Sequence, residues 1–144
     1  MSLDSKTPER LDFARKLRAQ LVEWARAATP KEACGLLLGR VAAQRVEVCE
    51  VREGRNIADD SSAAFELHPE DHLALTLEAE RAGLTVVGVW HSHPRGPATP
   101  SASDRAAAQA SWLHGIVGLN ARGEFELRVW RAAASTWVEI ESER

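Results

Sequence analysis

Residues 84–94 read LTVVGVWHSHP, and this stretch decides the fold. The first seven residues are almost continuously apolar and rich in valine, which predicts a central strand over residues 84–90 that is covered on both faces. Two histidines follow at once, and residues 91–100 contain three prolines and one glycine, which predicts a loop. The chain therefore carries two imidazoles at the end of a buried strand.

Further elements are predicted on both sides of this strand. Thr7-Pro8 predicts the start of a helix whose apolar stripe runs from Leu11 to Ala28 and ends at Thr29-Pro30. Two more helices are predicted over residues 69–81, closed by Gly83, and over 102–113. The other predicted strands cover 34–39, 46–51, 114–119, 124–131 and 136–140, with a hairpin turn at 120–123 and a polar, mobile loop at 54–64. This order predicts an α/β fold in which helices sandwich a mixed β-sheet.

Length and composition predict one domain with a well-filled core. The chain has 144 residues, of which 44% are hydrophobic, and no apolar run approaches the roughly 18 residues that predict a membrane span. We expect residues 1–8 to be a flexible N-terminus and residues 9–144 to form a single domain. No signal peptide is indicated, and two cysteines do not make a disulfide framework, so we expect a cytoplasmic protein with no membrane partner. The oligomeric state is left open, with a homodimer as one option.

The charge pattern argues against a nucleic-acid partner. Residues 47–80 hold ten acidic side chains and only two basic ones, a local balance of -8, in a chain whose formal charge is -3. Proteins that bind nucleic acids usually concentrate positive charge on one face. The largest charge block has the opposite sign here, so a solvated acidic surface is the simpler interpretation.

Three side chains predict a metal site. In extended backbone, residues two apart point to the same side, so His91 and His93 can present imidazole nitrogens to one ion. Ten residues separate His93 from Asp104, and a proline-stiffened loop can bring that carboxylate back beside the histidines. Two nitrogens and one oxygen make three protein ligands for Zn²⁺, which leaves the fourth position for water, as in catalytic zinc sites.

Two more residues complete a predicted catalytic group. Glu32 lies where the first helix ends and the strand at residue 34 begins, so its carboxylate can face the strand that carries His91. We expect Glu32 to act on a zinc-bound water first as a base and then as an acid toward the leaving amine. Ser101 can donate a hydrogen bond to the oxyanion of a tetrahedral intermediate.

Each of these residues also has a simpler interpretation. Ser101 and Asp104 have the spacing of a helix capping box, a single histidine at a strand end is usually structural, and Glu32 alone would be a surface carboxylate. His68 and His72 have the spacing of a second metal pair, although a solvated helix face is the better interpretation. One metal site explains His91, His93, Asp104 and Glu32 jointly, whereas the simpler interpretations explain them only one at a time.

The motif resembles the signature of the JAMM metalloproteases, the metal-bearing branch of the MPN domains. That signature is a glutamate, then H-[ST]-H-P, a spacer and S-x-x-D, and every position is present here as Glu32, His91-Ser92-His93-Pro94, Ser101 and Asp104. The resemblance covers roughly residues 10–140. It implies an MPN-type fold of cytidine-deaminase-like architecture, with residues 9–144 as the catalytic domain, Zn²⁺ on His91, His93 and Asp104, Glu32 as the base and Ser101 assisting the oxyanion.

The resemblance also implies a class of substrate. Family members cleave peptide or isopeptide bonds after the Gly-Gly tail of ubiquitin or ubiquitin-like proteins, and short members resemble enzymes that trim ThiS/MoaD-like sulfur carriers. The chain has no obvious long insertion of the kind that grips ubiquitin in larger relatives, so a small carrier is the better prediction. The tail would need a groove from elsewhere, and the loop at residues 54–64 can supply one by pairing with it as an added strand.

Other functions remain open at the level of sequence. One is an MPN scaffold or interaction module in which the zinc is structural, and another is hydrolysis of a different amide, such as a cell-wall peptide. Nucleobase deamination is disfavoured because the H-x-E…P-C-x-x-C signature is absent from the chain.

Overall fold

We describe a computed structural model of the protein, in which residues 10–102, 104, 112–132 and 136–142 are described. Those residues form one mixed sheet and two helices. The helices are α1 (Arg15–Ala28) and α2 (Pro69–Arg81). The strands are β1 (Arg10–Phe13), β2 (Cys34–Ala42), β3 (Arg45–Gly54), β4 (Thr85–Ser92), β5 (Leu113–Leu119), β6 (Phe125–Ala132) and β7 (Trp137–Ile140).

The sheet places β4 at its centre. The strand order is β1-β3-β2-β4-β5-β6-β7, and β1/β3 and β4/β5 are parallel while the other neighbours are antiparallel. The two edges approach each other, because Leu11 of β1 forms a bridge with Ser142 just beyond β7. The predicted mixed sheet and the central position of the valine-rich strand are both confirmed.

Apolar side chains fill both faces of the sheet. On the face covered by α1, the core includes Val87 and Trp90 of β4, and the Trp90 ring stacks on Trp24 at 5.8 Å between centroids. On the face covered by α2, Val86 and Val89 of the same strand join a second apolar cluster around Ala79. Burial on both faces explains why residues 84–90 are almost continuously apolar instead of alternating with polar residues.

The N-terminal boundary of the first predicted helix is wrong. Leu11 belongs to a strand, β1, and α1 begins only at Arg15. Leu11 and Phe13 alternate with Asp12, and both apolar side chains are buried where β1 pairs with β3. A two-residue period therefore outweighs the three- and four-residue spacing at this end of the chain. Thr7-Pro8 lies outside the described residues, while the predicted end at Thr29-Pro30 is confirmed.

Most other predicted elements are confirmed, with shifted ends. The helix at residues 69–81 has the predicted bounds, and Gly83 ends it with a positive φ of 73°. Strand β4 extends through Ser92, so His91 lies on the strand and not in the loop. Ala102 and Asp104 are helical, but the rest of the helix predicted to Leu113 lies outside the described residues, and Leu113 itself begins β5. In the described part of the chain, no helix is long and apolar enough to span a membrane.

Candidate active site

The sheet register brings the glutamate and the first histidine together. Strands β2 and β4 are antiparallel, and Cys34 at the start of β2 pairs with His91 near the end of β4. Glu32 lies two residues before Cys34, and its carboxylate and ring nitrogens of His91 and His93 all lie within 4.8 Å of one another. The predicted approach of Glu32 to the strand that carries His91 is therefore confirmed as geometry.

The loop after β4 returns Asp104 to the same point. The Asp104 carboxylate lies 3.1 Å from His91 Nε2 through Oδ1 and 3.2 Å from His93 Nε2 through Oδ2. The two Nε2 atoms are 3.1 Å apart. His91 is almost fully buried and the Asp104 side chain nearly so, and these atoms are in direct contact. The structure thus brings together the three side chains that the sequence predicts as ligands.

These distances fit a tetrahedral zinc ion. Zinc bonds of about 2.0–2.1 Å to nitrogen and oxygen, arranged tetrahedrally, separate neighbouring ligand atoms by about 3.3 Å. The three separations here, 3.1, 3.1 and 3.2 Å, are close to that value. Acceptor atoms at such short range need either a shared hydrogen-bond proton or a metal ion between them. Two imidazoles and one carboxylate are ligands that zinc accepts in catalytic sites.

A backbone carbonyl fixes which nitrogen of His93 faces this centre. The Pro97 carbonyl oxygen lies 2.8 Å from His93 Nδ1 and can only accept, so Nδ1 must carry a proton. In the neutral ring, this leaves the Nε2 lone pair directed at Asp104. Histidines that bind metals usually donate their other N–H to such a carbonyl or carboxylate, because the bond sets the tautomer and orientation of the ring. His93 therefore has the environment of a metal ligand.

The pKa values of the ionisable groups in the cluster are strongly shifted. Burial raises the pKa of Glu32 to about 7, an effect that His93 opposes and Asp104 reinforces. Burial also acts to raise the pKa of Asp104, but hydrogen bonds with His91 and His93 outweigh it and hold that pKa well below its usual range. Burial lowers the pKa of His91. Asp104 is thus ionised at neutral pH, while Glu32 is poised between its two forms.

Ser101 and Asp104 also form the predicted capping box. The Asp104 N–H donates to Ser101 Oγ at 3.0 Å, and the Ser101 N–H donates to Asp104 Oδ2 at 2.9 Å. The cap and the metal-ligand geometry coexist, because Asp104 uses one oxygen toward His91 and the other toward His93 and Ser101. The capping box is therefore confirmed as local structure, and it does not exclude a metal site at Asp104.

Three further residues support the site and were not predicted from sequence. The Ser92 hydroxyl, between the two histidines, accepts a hydrogen bond from the Ala33 N–H at 2.8 Å and so holds the segment that follows Glu32. The Phe65 ring stacks on the His91 ring, with 4.3 Å between centroids and 17° between planes. The Asn56 carboxamide donates to the Glu32 carbonyl oxygen at 2.9 Å. Only the position of Ser92 inside the motif offered a signal.

The other histidines do not form a metal pair. His68 caps α2, because its Nδ1 accepts a hydrogen bond from the Glu70 N–H at 3.1 Å. The His72 ring instead lies edge-to-face with the Trp112 ring, with 6.5 Å between the ring centroids. Their helical spacing therefore reflects the start of α2 and not a second metal site. Cys34 is fully buried, and burial raises the pKa of its thiol to about 12.

Gly118 lets the loop that follows β4 lie against β5, and this close approach gives a testable prediction. A Cβ atom at Gly118 would overlap the backbone of Pro97 and Ala98. Because the Pro97 carbonyl orients the His93 ring, we expect Gly118→Ala to lower zinc affinity about 10- to 100-fold, the usual cost of disturbing a group that orients a ligand. Competition with a chelating dye measures that affinity.

Gly96 provides the matched control in the same loop. A Cβ atom there would meet only the Cβ atom of His93, at 4.0 Å, so Gly96→Ala should bind zinc like the wild type. Equal zinc affinities for Gly118→Ala, Gly96→Ala and the wild type would show that the position of this loop does not control His93.

Comparison with known proteins agrees with this geometry. The family model of prokaryotic homologs of the JAB domain matches residues 14–133. A desampylase from Haloferax volcanii is 36% identical over 110 residues, which cover 74% of this chain and 76% of that protein. A probable TtuB-protein conjugate cleaving protease from Thermus thermophilus is 35% identical over 83 residues, 58% of this chain and 51% of that protein.

A solved structure shows the same fold over nearly the whole chain. The solution structure of a protein from Desulfitobacterium hafniense matches with a TM-score of 0.80 and 27% sequence identity, covering 92% of this chain and 95% of that one. The family model, the curated relatives and this structural similarity all agree with the JAMM resemblance of the sequence motif. The chain belongs to the family of prokaryotic homologs of the JAB domain, and it is a peptidase of the JAMM type.

Proposed function

We propose that the protein is a zinc-dependent peptidase that hydrolyses a peptide or isopeptide bond at the C-terminal Gly-Gly region of a ubiquitin-like or sulfur-carrier protein. The observation that carries this proposal is the convergence of His91, His93 and Asp104 beside the buried carboxylate of Glu32. The substrate class is supported by the desampylase and the TtuB-protein conjugate cleaving protease among the relatives.

In this proposal, His91, His93 and Asp104 hold Zn²⁺. Bound there, the ion would polarise the scissile carbonyl and lower the pKa of a water molecule to about 7. Ionised Asp104 supplies the negative charge that favours a divalent cation, and the Pro97 carbonyl keeps Nε2 of His93 available as a ligand. Phe65 covers one face of the His91 ring and limits the access of water to it.

The role proposed for Glu32 is to move a proton. Its carboxylate lies within 4.8 Å of ring nitrogens of His91 and His93, and burial raises its pKa to about 7 before any metal is bound. A group with a pKa near the working pH can accept a proton and then release it. Glu32 would take a proton from the attacking water and deliver it to the leaving amine, and the Ser101 hydroxyl would donate to the oxyanion that forms.

The wider setting of the reaction is part of the same proposal. We propose that residues 9–144 act as one catalytic domain. We also propose that the protein works in a reducing cytoplasm, because both cysteines of the chain, Cys34 and Cys49, are free thiols. The bound partner is the carrier protein, with no nucleic acid or membrane involved, and a homodimer stays a prediction. The segment at residues 54–64, which touches Glu32, is the proposed neighbour of the substrate tail.

The proposal is tested with carriers that end in Gly-Gly. Zinc-loaded protein is incubated with small sulfur-carrier proteins that bear either a C-terminal extension or a lysine-linked protein, and intact mass spectrometry locates the cut. We expect release of the carrier with Gly-Gly as its new C-terminus, and no cleavage when Ala-Ala replaces Gly-Gly. Failure to cut any of these conjugates, or undiminished cutting after chelation of zinc, would contradict the proposal.

A further inference from the structure

The carboxamide of Asn56 makes four hydrogen bonds at the base of the loop beside the site. Nδ2 donates to the carbonyl oxygens of Glu32 at 2.9 Å and Ala64 at 3.0 Å. Oδ1 accepts from the N–H groups of Ala58 and Glu66, both at 3.0 Å. Every partner is a backbone group, and two acceptors face Nδ2 while two donors face Oδ1, so the orientation of the amide is unambiguous.

These bonds connect the two sides of the site. One of them holds the peptide of Glu32, the proposed proton carrier. Two others hold Ala64 and Glu66, the residues on either side of Phe65, whose ring stacks on His91. One half-buried side chain therefore ties the backbone that carries Glu32 to the segment that packs on His91.

The Glu32 peptide depends on such ties because it lies outside regular structure. It precedes β2, so no strand neighbour pairs with it. Its N–H donates to the Ser61 carbonyl oxygen at 2.6 Å, and its carbonyl accepts from Asn56. Both partners belong to the loop between β3 and α2, and an isolated antiparallel bridge between Asn56 and Leu67 closes that loop at its base. The next residue, Ala33, is already held to Ser92 by two hydrogen bonds, so this loop controls the orientation of the Glu32 peptide and not the approach of β2 to β4.

We propose that Asn56 is a positioning residue for the reaction: it orients the Glu32 peptide, and with it the carboxylate, toward the imidazole of His91 by clamping the Glu32 and Phe65 segments to one loop. This inference rests on the proposed function for its kinetic consequences, but its structural consequence is independent of any substrate. Asn56 touches neither the predicted ligands nor the reacting atoms, and its effect passes through Glu32 and Phe65.

Asn56→Asp is the most informative substitution. It keeps an acceptor for Ala58 and Glu66 but replaces the donor by an oxygen that faces two carbonyl oxygens, so the tie to Glu32 is lost. We expect kcat to fall about 10- to 100-fold, since a displacement near 1 Å can cost about 100-fold. KM should change less than about twofold and the chain should still bind one zinc ion, because Asn56 contacts no proposed ligand.

Asn120→Asp is the matched control. The Asn120 Oδ1 accepts from the N–H groups of Arg122 and Glu124 at 2.9 and 3.0 Å in the β5–β6 hairpin, so this asparagine also organises a turn, but not beside Glu32. Asn120→Asp should retain wild-type kcat. Thermal unfolding of both variants identifies a temperature at which each is fully folded, and the rates are compared there.

Nuclear magnetic resonance of His91 provides a readout that a general loss of stability would not move. The stacked Phe65 ring shifts the imidazole C–H resonances of His91, and we expect this shift to diminish in Asn56→Asp and in Phe65→Leu but not in Asn120→Asp. Wild-type kcat in Asn56→Asp, or an unchanged His91 spectrum in that variant, would overturn the inference. If the wild type cleaves no carrier, the proposed function fails, while the spectrum still decides whether Asn56 clamps the two segments.

Discussion

Replacement of His91 by alanine is expected to abolish zinc binding and peptidase activity together. The Nε2 atom of His91 lies 3.1 Å from both His93 Nε2 and Asp104 Oδ1, so its loss leaves two ligands and removes the histidine partner of Asp104 Oδ1. Because the proposed metal would stabilise the transition state by several kcal/mol, the rate should fall by about 1,000-fold or more. Metal analysis of the purified variant and a cleavage assay measure the two effects.

His72→Ala is the control for this substitution. His72 lies on α2, where its ring meets the Trp112 ring outside the cluster, so its replacement should leave one zinc ion per chain and wild-type activity. A His91→Ala protein that is folded, retains stoichiometric zinc and cleaves substrate normally would refute the assigned ligand set. Asp104→Asn should resemble His91→Ala, because Asp104 contacts both histidines.

Glu32→Gln is expected to separate metal binding from catalysis. Glutamine has the same shape but cannot accept and release the proton, so kcat should fall by about 100- to 10,000-fold, the usual range for loss of a general acid–base group. Zinc should remain at one ion per chain, since Glu32 is not a proposed ligand. Glu80→Gln, on the exposed face of α2, is the matched control and should be as active as the wild type. A fully active Glu32→Gln protein would refute the assignment of Glu32 as the base.

The pH dependence of stability in the metal-free proteins tests the raised pKa of Glu32. Burial raises the pKa of Glu32 from 4.5 to about 7, so the folded state binds this proton more tightly than the unfolded state. The resulting stabilisation is complete below about pH 4.5 and is lost as the pH rises to about 7. The free energy of unfolding of the wild type should decrease across that window relative to Glu32→Gln, and denaturant titrations at pH 5 and 8 measure the difference.

The site was more predictable from sequence than the start of the first helix. His91, His93 and Asp104 need only extended backbone and a short loop to converge, and both are local properties of the chain. By contrast, Leu11 satisfies both a helical and a strand period, and pairing with β3, more than thirty residues away, decides between them. Local spacing carries no information about such a distant partner, so the strand β1 was missed.

The supporting residues could not be predicted for the same reason. Asn56 lies in the polar segment 54–64, whose composition predicts mobility, and Phe65 directly follows it, whereas in the structure Asn56 binds Glu32 and Phe65 packs on His91. Asparagine is common in loops, and nothing in its neighbours indicates that its amide reaches a residue 24 positions earlier. A motif with fixed spacing predicts the groups that do chemistry, while the groups that orient them depend on how the whole chain folds.

Titration of zinc into the metal-free protein tests the central claim most directly. Cleavage of a Gly-Gly-linked carrier conjugate is followed as zinc is added, and the product is identified by mass. We predict that activity rises linearly, saturates at one zinc ion per chain and releases a carrier that ends in Gly-Gly. Full activity before any zinc is added, or a cut at another bond when one zinc ion is bound, would contradict the account.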